Sequence, residues 1–306
     1  MSKNVFIVIV TYNGMRWLDK VLNSICPEES IIIIDNNSTD NTVDFIKTNF
    51  PKVNILQNLE NKGFGQANNQ GIEIAIKKGA EYVFLLNQDA WVNNNTIPEL
   101  IKAAEKNPEF GIYSPVHCNG TNDALDRSFS NYLRYDRNRT FIFDAIMNKL
   151  KPVYEVTFIN AAAWFLPVSS FKKIGGFDPI FFHYGEDDNY CQRVLFHNLK
   201  IGVVPKAFIW HDREGVKRKE PKLFDDSYFK VKETKFKIKY ADIDSPKNAS
   251  VYLKILRNTV IKAILKLKFK EAREFYKEYQ FTLKWNKESN ESMNINKKEG
   301  NHYLDL

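Results

Sequence analysis

Through its first 110 residues the chain alternates short apolar runs with segments of helical periodicity. Residues 5–10 form an almost unbroken apolar run closed by the Asn13-Gly14 turn, and a helix is predicted around 16–24. A second run, 31–34, ends at Asp35, and Asp40 then caps a helix reaching about residue 48. Residues 53–57 and 82–86 read as third and fourth strands around a helix over 65–78, and another helix follows at 96–106. Strands that are apolar on both faces and separated by helices predict a mostly parallel sheet covered on both sides. The fold class is therefore α/β.

Beyond residue 110 the pattern loosens. Residues 114–155 are irregular and rich in Asn, Arg and Tyr, and read as an insertion or a lid over a substrate. Residues 158–166 return to a strand or buried segment, Gly175-Gly176 marks a turn, 187–198 read as a helix and 201–204 as a strand. Leu253, Leu256, Val260, Ile264 and Leu267 then make one helical stripe at spacings of three and four. The segment from Asn290 is polar and is expected to fray.

A hydrophobic content of 43% is enough to bury a real core, and no apolar run approaches the roughly 20 residues that span a bilayer. The N-terminus enters VFIVIV without a small-residue cleavage site, so no signal peptide is expected. Cys26, Cys118 and Cys191 have no metal-site spacing and an odd thiol is left over, which favours a reducing cytoplasm. The net charge of +7 admits nucleic acid, anionic membrane or anionic substrate as partner. The excess lies mostly after residue 215, without a zinc-finger or RNA-recognition signature, and nucleic acid is the weaker choice. The helical stripe, flanked by Lys254, Arg257, Lys262, Lys266 and Lys268, is expected to pack on its own domain, with weak attraction to an anionic membrane as a by-product.

Candidate chemistry collects at the carboxyl ends of strands, where open α/β sheets bind ligands. Thr11-Tyr12-Asn13, Asp35-Asn36-Asn37-Ser38 and Asn87-Gln88-Asp89 all fall there. Asp35 can bond a base or ribose edge or close an Asx turn. Gly63 and Gly65, opening a helix, let backbone approach a ligand phosphate, but a dinucleotide fingerprint belongs after the first strand, where this chain has TYNGMR. Asp89 offers a hard oxygen ligand for Mg2+ or Mn2+, with a diphosphate supplying further oxygens, and His211 is a second candidate ligand. In FFHYGEDDNYCQR the acids Glu186, Asp187 and Asp188 follow a run of aromatics, a setting that can raise a carboxylate pKa towards that of a general base. The same acids also suit a helix N-terminus.

Taken in order, VIVTYNG, IIIIDNNSTD, NKGFGQANNQG, FLLNQDA, FFHYGEDDNYCQR and the WHD histidine resemble the family 2 glycosyltransferases of the GT-A fold, particularly bacterial polysaccharide-assembly enzymes such as rhamnosyltransferases. The resemblance implies a catalytic domain over 1–215, with a nucleotide-binding half (1–110) and an acceptor half (111–215). A basic helical region (216–289) and a flexible tail (290–306) would follow. It implies that Thr11, Tyr12 and Asp35, with the strand-end Asn13 and Asn37, hold the nucleoside of a UDP- or dTDP-linked sugar. Gly63 and Asn68 would line the pocket, with Asn87 and Gln88 beside Asp89. Asp89 and His211 would serve Mg2+ or Mn2+, Asp187 would be the base of an inverting transfer to a glycan or lipid-linked acceptor, and Glu186 would orient it. Arg193 is expected to neutralise the acids, and Trp91, Trp164 and Asp188 are candidates for the sugar and acceptor pocket. Asn87 departs from the aspartate common at the first motif position. That substitution keeps open an alternative, a catalytically degenerate module that binds a nucleotide-sugar or glycan. The expected location is the cytoplasm, from the cysteines, with any peripheral contact at the inner membrane face following from the charge of the basic tail.

Overall fold

The computed structural model describes residues 3–25, 30–133, 138–213 and 220–306. Cys26 and the basic run at 216–219 lie outside the described residues, as does the boundary expected after residue 215. The chain runs β1 (Val5–Thr11), α1 (Met15–Asn23), β2 (Ile31–Asp35), α2 (Thr42–Asn49), β3 (Asn54–Gln57), α3 (Phe64–Lys77) and β4 (Tyr82–Leu86). It continues through β5 (Ala90–Val92), α4 (Thr96–Lys106), β6 (Phe110–Asn119), α5 (Phe141–Ile146), β7 (Tyr154–Val156), β8 (Ala163–Pro167) and α6 (Val168–Ile174). The last elements are α7 (Glu186–Phe196), β9 (Lys200–His211), α8 (Asp226–Tyr240), α9 (Ser250–Leu265) and α10 (Phe269–Asn296).

All these strands join one sheet, ordered β3-β2-β1-β4-β8-β6-β9-β5, with β7 also on β9. The parallel half is the one read from the apolar runs: β3, β2, β1 and β4 pair parallel. Beyond β4 the sheet is mixed, since β8 enters antiparallel to both β4 and β6 while β6 and β9 run parallel. Two apolar layers cover its faces, one holding Ile7, Ile9, Ile31 and Ile33 and the other Val8, Ile32 and Ile34. Alternate residues of the same strand feed opposite layers, which is why those strands carry no polar face.

Three expectations need correction. Residues 114–119 are not irregular but belong to β6, well inside the sheet. The final segment is not a free tail: α10 runs to Asn296, Leu304 is buried in the main core, and the Gly176 N–H donates to the His302 carbonyl at 2.8 Å. The α9 stripe packs only in part, with Leu256 buried but Ile264 and Leu267 exposed. A separate small core of Phe229, Phe236, Tyr240, Ala249 and Trp285 joins the C-terminal helices. Among the described residues no helix is long and apolar enough to cross a membrane.

Candidate active site

A cleft of about 400 Å³ opens at the carboxyl ends of β1, β2 and β4. Tyr12, Gly63, Asn87, Gln88 and Asp89 line it, together with Asn36, Asn61, Phe64, Phe182 and His183. The loops after the strands are cross-braced. The Tyr12 N–H donates to Gln88 Oε1 (2.9 Å), and Gln88 Nε2 donates back to the Tyr12 carbonyl (3.2 Å). Asn13 takes φ +52 and Asn37 φ +68, a left-handed conformation that asparagine tolerates. Asn13 Oδ1 accepts from the Thr39 N–H (2.8 Å), so its side chain joins two loops.

Asp35 sits behind this wall, with its carboxylate accepting from Thr11 Oγ1 (3.1 Å), the Ser38 N–H (3.0 Å) and Ser38 Oγ. Thr11, Asp35, Asn13 and Asn37 are thus the scaffold of the rim and do not line the cleft. Asn68 is buried on α3, where its Nδ2 donates to the Phe64 carbonyl at 3.0 Å. The hub is Asn36, which sequence reasoning passed over inside its own motif. It donates to Asn61 Oδ1 (2.9 Å) and the Gly63 carbonyl (3.1 Å), and accepts from the Lys62 N–H (3.0 Å). Gly63 has φ +80, and a Cβ there would lie 2.0 Å from the Phe182 carbonyl oxygen. The close approach that demands glycine is therefore that of the loop leading to α7.

A second cluster forms where β5 meets β9. Ala90 pairs with His211, and the Asp212 N–H donates to the Asp89 carbonyl at 2.9 Å, which sets the imidazole beside the Asp89 carboxylate. His211 Nε2 lies 3.3 Å from Asp89 Oδ1 and Nδ1 lies 3.4 Å from Asp126 Oδ2, neither aligned as a hydrogen bond. Asp126 arrives because the chain folds back on β6: Leu125 bridges Cys118, and the Asp126 N–H donates to the His117 carbonyl (2.9 Å). Burial disfavours the imidazolium, yet the carboxylates of Asp126 and Asp89 outweigh it and raise the His211 pKa above its ordinary value.

These residues fit a divalent cation in a limited sense. Asn87 Oδ1 is buried without a partner beside the partly buried Asp89, and His211 Nε2 is equally unsatisfied. No cluster of three His, Cys, Asp or Glu ligands exists among the described residues. Asp126 lies on the opposite imidazole nitrogen, so it cannot converge with Asp89 on one ion. Protein atoms would supply a minority of the coordination, and diphosphate and water oxygens the rest.

The acids of the aromatic-acid motif open α7 behind an N-cap glycine, Gly185. Burial, then the charges of Asp187 and Asp188, push the Glu186 carboxyl up to about 8. Burial, then Asp187, pushes Asp188 to about 7. Burial also raises half-buried Asp187, against the peptide N–H groups of Asp188, Asp187 and Ala161 and the Arg213 charge. Helix-start amides ordinarily favour carboxylates, and here burial wins. The same Arg213 charge acts on Asp126 and His211, so the acid cluster and the histidine share one electrostatic neighbourhood.

Three expected roles are not met. Arg193 is fully buried and its guanidinium donates to the carbonyls of Gly176 (2.7 Å) and Ile174, so it braces the turn before α7 and leaves the acids alone. Trp164 is fully buried on central β8, stacked 5.9 Å from Phe177. Trp91 lies in the opposite core layer with Lys20 Nζ 3.5 Å from its ring centre. Neither tryptophan reaches the cleft, whose aromatic walls are Tyr12, Phe64 and Phe182.

The cleft thus lies at the strand ends of an α/β sheet, with Asp89 on its lining beside His211 and with the loop that leads to the α7 acids forming one wall. The profile of glycosyl transferase family 2 matches residues 6–175, and the chain belongs to that family. A profile of the N-terminal domain of galactosyltransferase matches residues 142–215. The chain is 24% identical over 221 residues to dTDP-rhamnosyl transferase RfbF of Shigella flexneri, covering 69% of this chain and 70% of that one. It is 25% identical over 240 residues to N-acetylglucosaminyl-diphospho-decaprenol L-rhamnosyltransferase of Mycobacterium tuberculosis, covering 70% and 78%. The fold matches GalNAc-T7, crystallised with UDP, GalNAc and Mn2+, at TM-score 0.57 and 19% identity over 78% of this chain and half (50%) of that one. It also matches TarS of S. aureus in complex with UDP, at TM-score 0.53 and 15% identity over 82% and 68%. The protein is thus a family 2 glycosyltransferase of GT-A fold.

Proposed function

We propose that this enzyme moves a sugar from a UDP- or dTDP-linked donor to a hydroxyl of a glycan or lipid-linked acceptor, with inversion, in cell-surface polysaccharide assembly. The observation that carries the reading is the half-buried Asp187 with its raised pKa, at the start of the helix whose preceding loop, Phe182 and His183, walls the cleft. The nucleoside diphosphate lies along Tyr12, Asn36 and Gly63. Asp89 and His211 would hold Mg2+ or Mn2+, which when bound would supply Lewis-acid stabilisation of charge on the departing diphosphate. Asp187 accepts the proton of the acceptor hydroxyl as that oxygen attacks the anomeric carbon from the face opposite the leaving group. Glu186, neutral at pH 7, adds no second negative charge to the base. The rhamnosyl-transferring relatives support dTDP-rhamnose as the first donor to try, and one supports a diphospho-lipid acceptor.

The decisive experiment is Asp187→Asn with donor transfer and donor binding measured in parallel. Turnover should fall by about 10²–10⁴ with binding retained, whereas transfer at the wild-type rate removes Asp187 from the mechanism. A second reading, a degenerate binding module, is favoured by Asn87, whose buried Oδ1 sits where an acid is common. Tight nucleoside-diphosphate binding without donor hydrolysis or transfer would select it.

A further inference from the structure

The C-terminal hairpin carries a surface that sugar transfer does not use. α9 packs inward through Leu256 and Ala263. On its outer side Val251, Ile255, Lys262 and Leu265 fall within about 80° of helical rotation, and all are exposed. The turn into α10 continues this face in the run Ile264-Leu265-Lys266-Leu267-Lys268-Phe269-Lys270. Leu265, Leu267 and Phe269 are 78%, 75% and 63% exposed. From 247 to 270 the sequence has seven basic residues and no acidic one. Among the described residues Lys254, Arg257, Lys262, Lys266 and Lys270 have no carboxylate within ion-pair distance. At the other end of α9 a depression of about 430 Å³ opens between Lys239 and Lys247.

We infer that the outer face of α9 and the α9–α10 turn dock on an anionic lipid surface, with Leu265, Leu267 and Phe269 entering the acyl boundary and the lysines meeting headgroup phosphates. Charge selects this occupant. A two-fold contact with a second copy would set the same basic patch against itself, and the apolar tips of Leu265 and Leu267 between the lysines suit an acyl boundary better than a nucleic-acid backbone. Lysine stems can lie along the apolar side chains while their ammonium groups stay in water. The inference goes beyond sugar transfer and does not depend on it.

The test is flotation of the full chain with vesicles of phosphatidylcholine alone or containing about 30% phosphatidylglycerol, since each basic residue near an anionic leaflet contributes roughly fivefold in partitioning. Binding is expected only with phosphatidylglycerol and should weaken in high salt. Lys262→Ser, Lys266→Ser, Lys268→Ser and Lys270→Ser combined should lower partitioning by about two orders of magnitude or more. Leu265→Glu, Leu267→Glu and Phe269→Glu combined should lower it at least about tenfold. All sites are exposed, and unchanged melting of the variants would verify the fold. Absence of phosphatidylglycerol-dependent binding overturns the proposal, as does equal binding of wild type and both variants. So does a concentration-dependent dimer that the glutamate variant dissolves while vesicles go unbound.

Discussion

Glu186→Gln converts the burial of one carboxyl into a measurable stability difference. Glu186 is 5% exposed and its Oε2 has no hydrogen-bond partner. The folded protein holds this proton up to about pH 8, where the unfolded chain releases it near 4.5. The folded state therefore binds more protons than the unfolded state across that window, and stability falls as pH rises through it. The contribution is fully present below about 4.5 and lost by about 8. At 1.36 kcal/mol per pH unit the whole window amounts to about 5 kcal/mol, and the interval from about pH 5.5 to 8 to about 3 kcal/mol. Glutamine keeps the shape and never ionises. The variant should gain on the wild type as pH rises, with the gap widening by about 2–3 kcal/mol over that interval and levelling off above it. Urea unfolding at half-unit pH steps measures this directly. A gap that stays constant with pH, or that widens towards acid, refutes the assignment of a buried neutral Glu186.

Other expectations follow from single side chains. Asp89→Ala should abolish the tightening of UDP or dTDP binding by Mn2+, read by calorimetry with and without the ion; retained tightening would place the cation elsewhere. Trp164→Ala should cost about 3–5 kcal/mol of stability through the cavity it leaves, and a cost confined to donor affinity would return Trp164 to the sugar pocket. Deleting residues 297–306 should destabilise by at least about 2 kcal/mol in urea unfolding, because buried Leu304 goes with them. An unchanged midpoint would make that segment the dispensable tail that its polarity suggests.

What the sequence made legible follows from periodicity. The parallel half was readable because strands covered on both sides carry unbroken apolar runs. β6 was not, since FGIYSPVHCN has neither an apolar run nor alternation. Its Pro115 is tolerated because the register against β9 slips there, from Pro115↔Val204 to Val116↔Phe208. That bulge also extends β9 as far as His211, past the 201–204 segment that reads as a strand. Asp126 left no local signal, because only a fold-back on β6 brings it to the histidine. Trp164 and Trp91 misled for the opposite reason. Aromatics near a motif suggest a sugar platform, but central β8 is covered on both faces and β5 turns Trp91 towards α1. Pocket residues such as Asn36 and Asn61 lay inside the quoted motifs and could have been found by asking which amides brace the turns.

The acids at the start of α7 also depend on parts of the chain far from the cleft. A buried carboxyl keeps a perturbed pKa only if its surroundings stay closed, and the loop that leads into α7 is packed through buried Phe177 and Phe181. That loop is pinned from far along the sequence. Asp178 Oδ2 accepts from Ser292 Oγ (2.6 Å), Asn296 Nδ2 (2.8 Å) and Tyr303 OH (3.0 Å). Lys237 Nζ donates to the Ile180 carbonyl (3.0 Å), and on the other side the Phe64 N–H donates to the Phe182 carbonyl (3.3 Å). α8, α10 and the final segment therefore hold one wall of the acid site while α3 holds the other. Asp178→Ala, by loosening this loop, should admit water to Glu186 and Asp187 and return both towards ordinary carboxylate behaviour; a pH dependence of urea unfolding unchanged from wild type would refute this. The C-terminal helices thus brace the loop that leads into the acids of α7, while the outer face of α9 stays exposed.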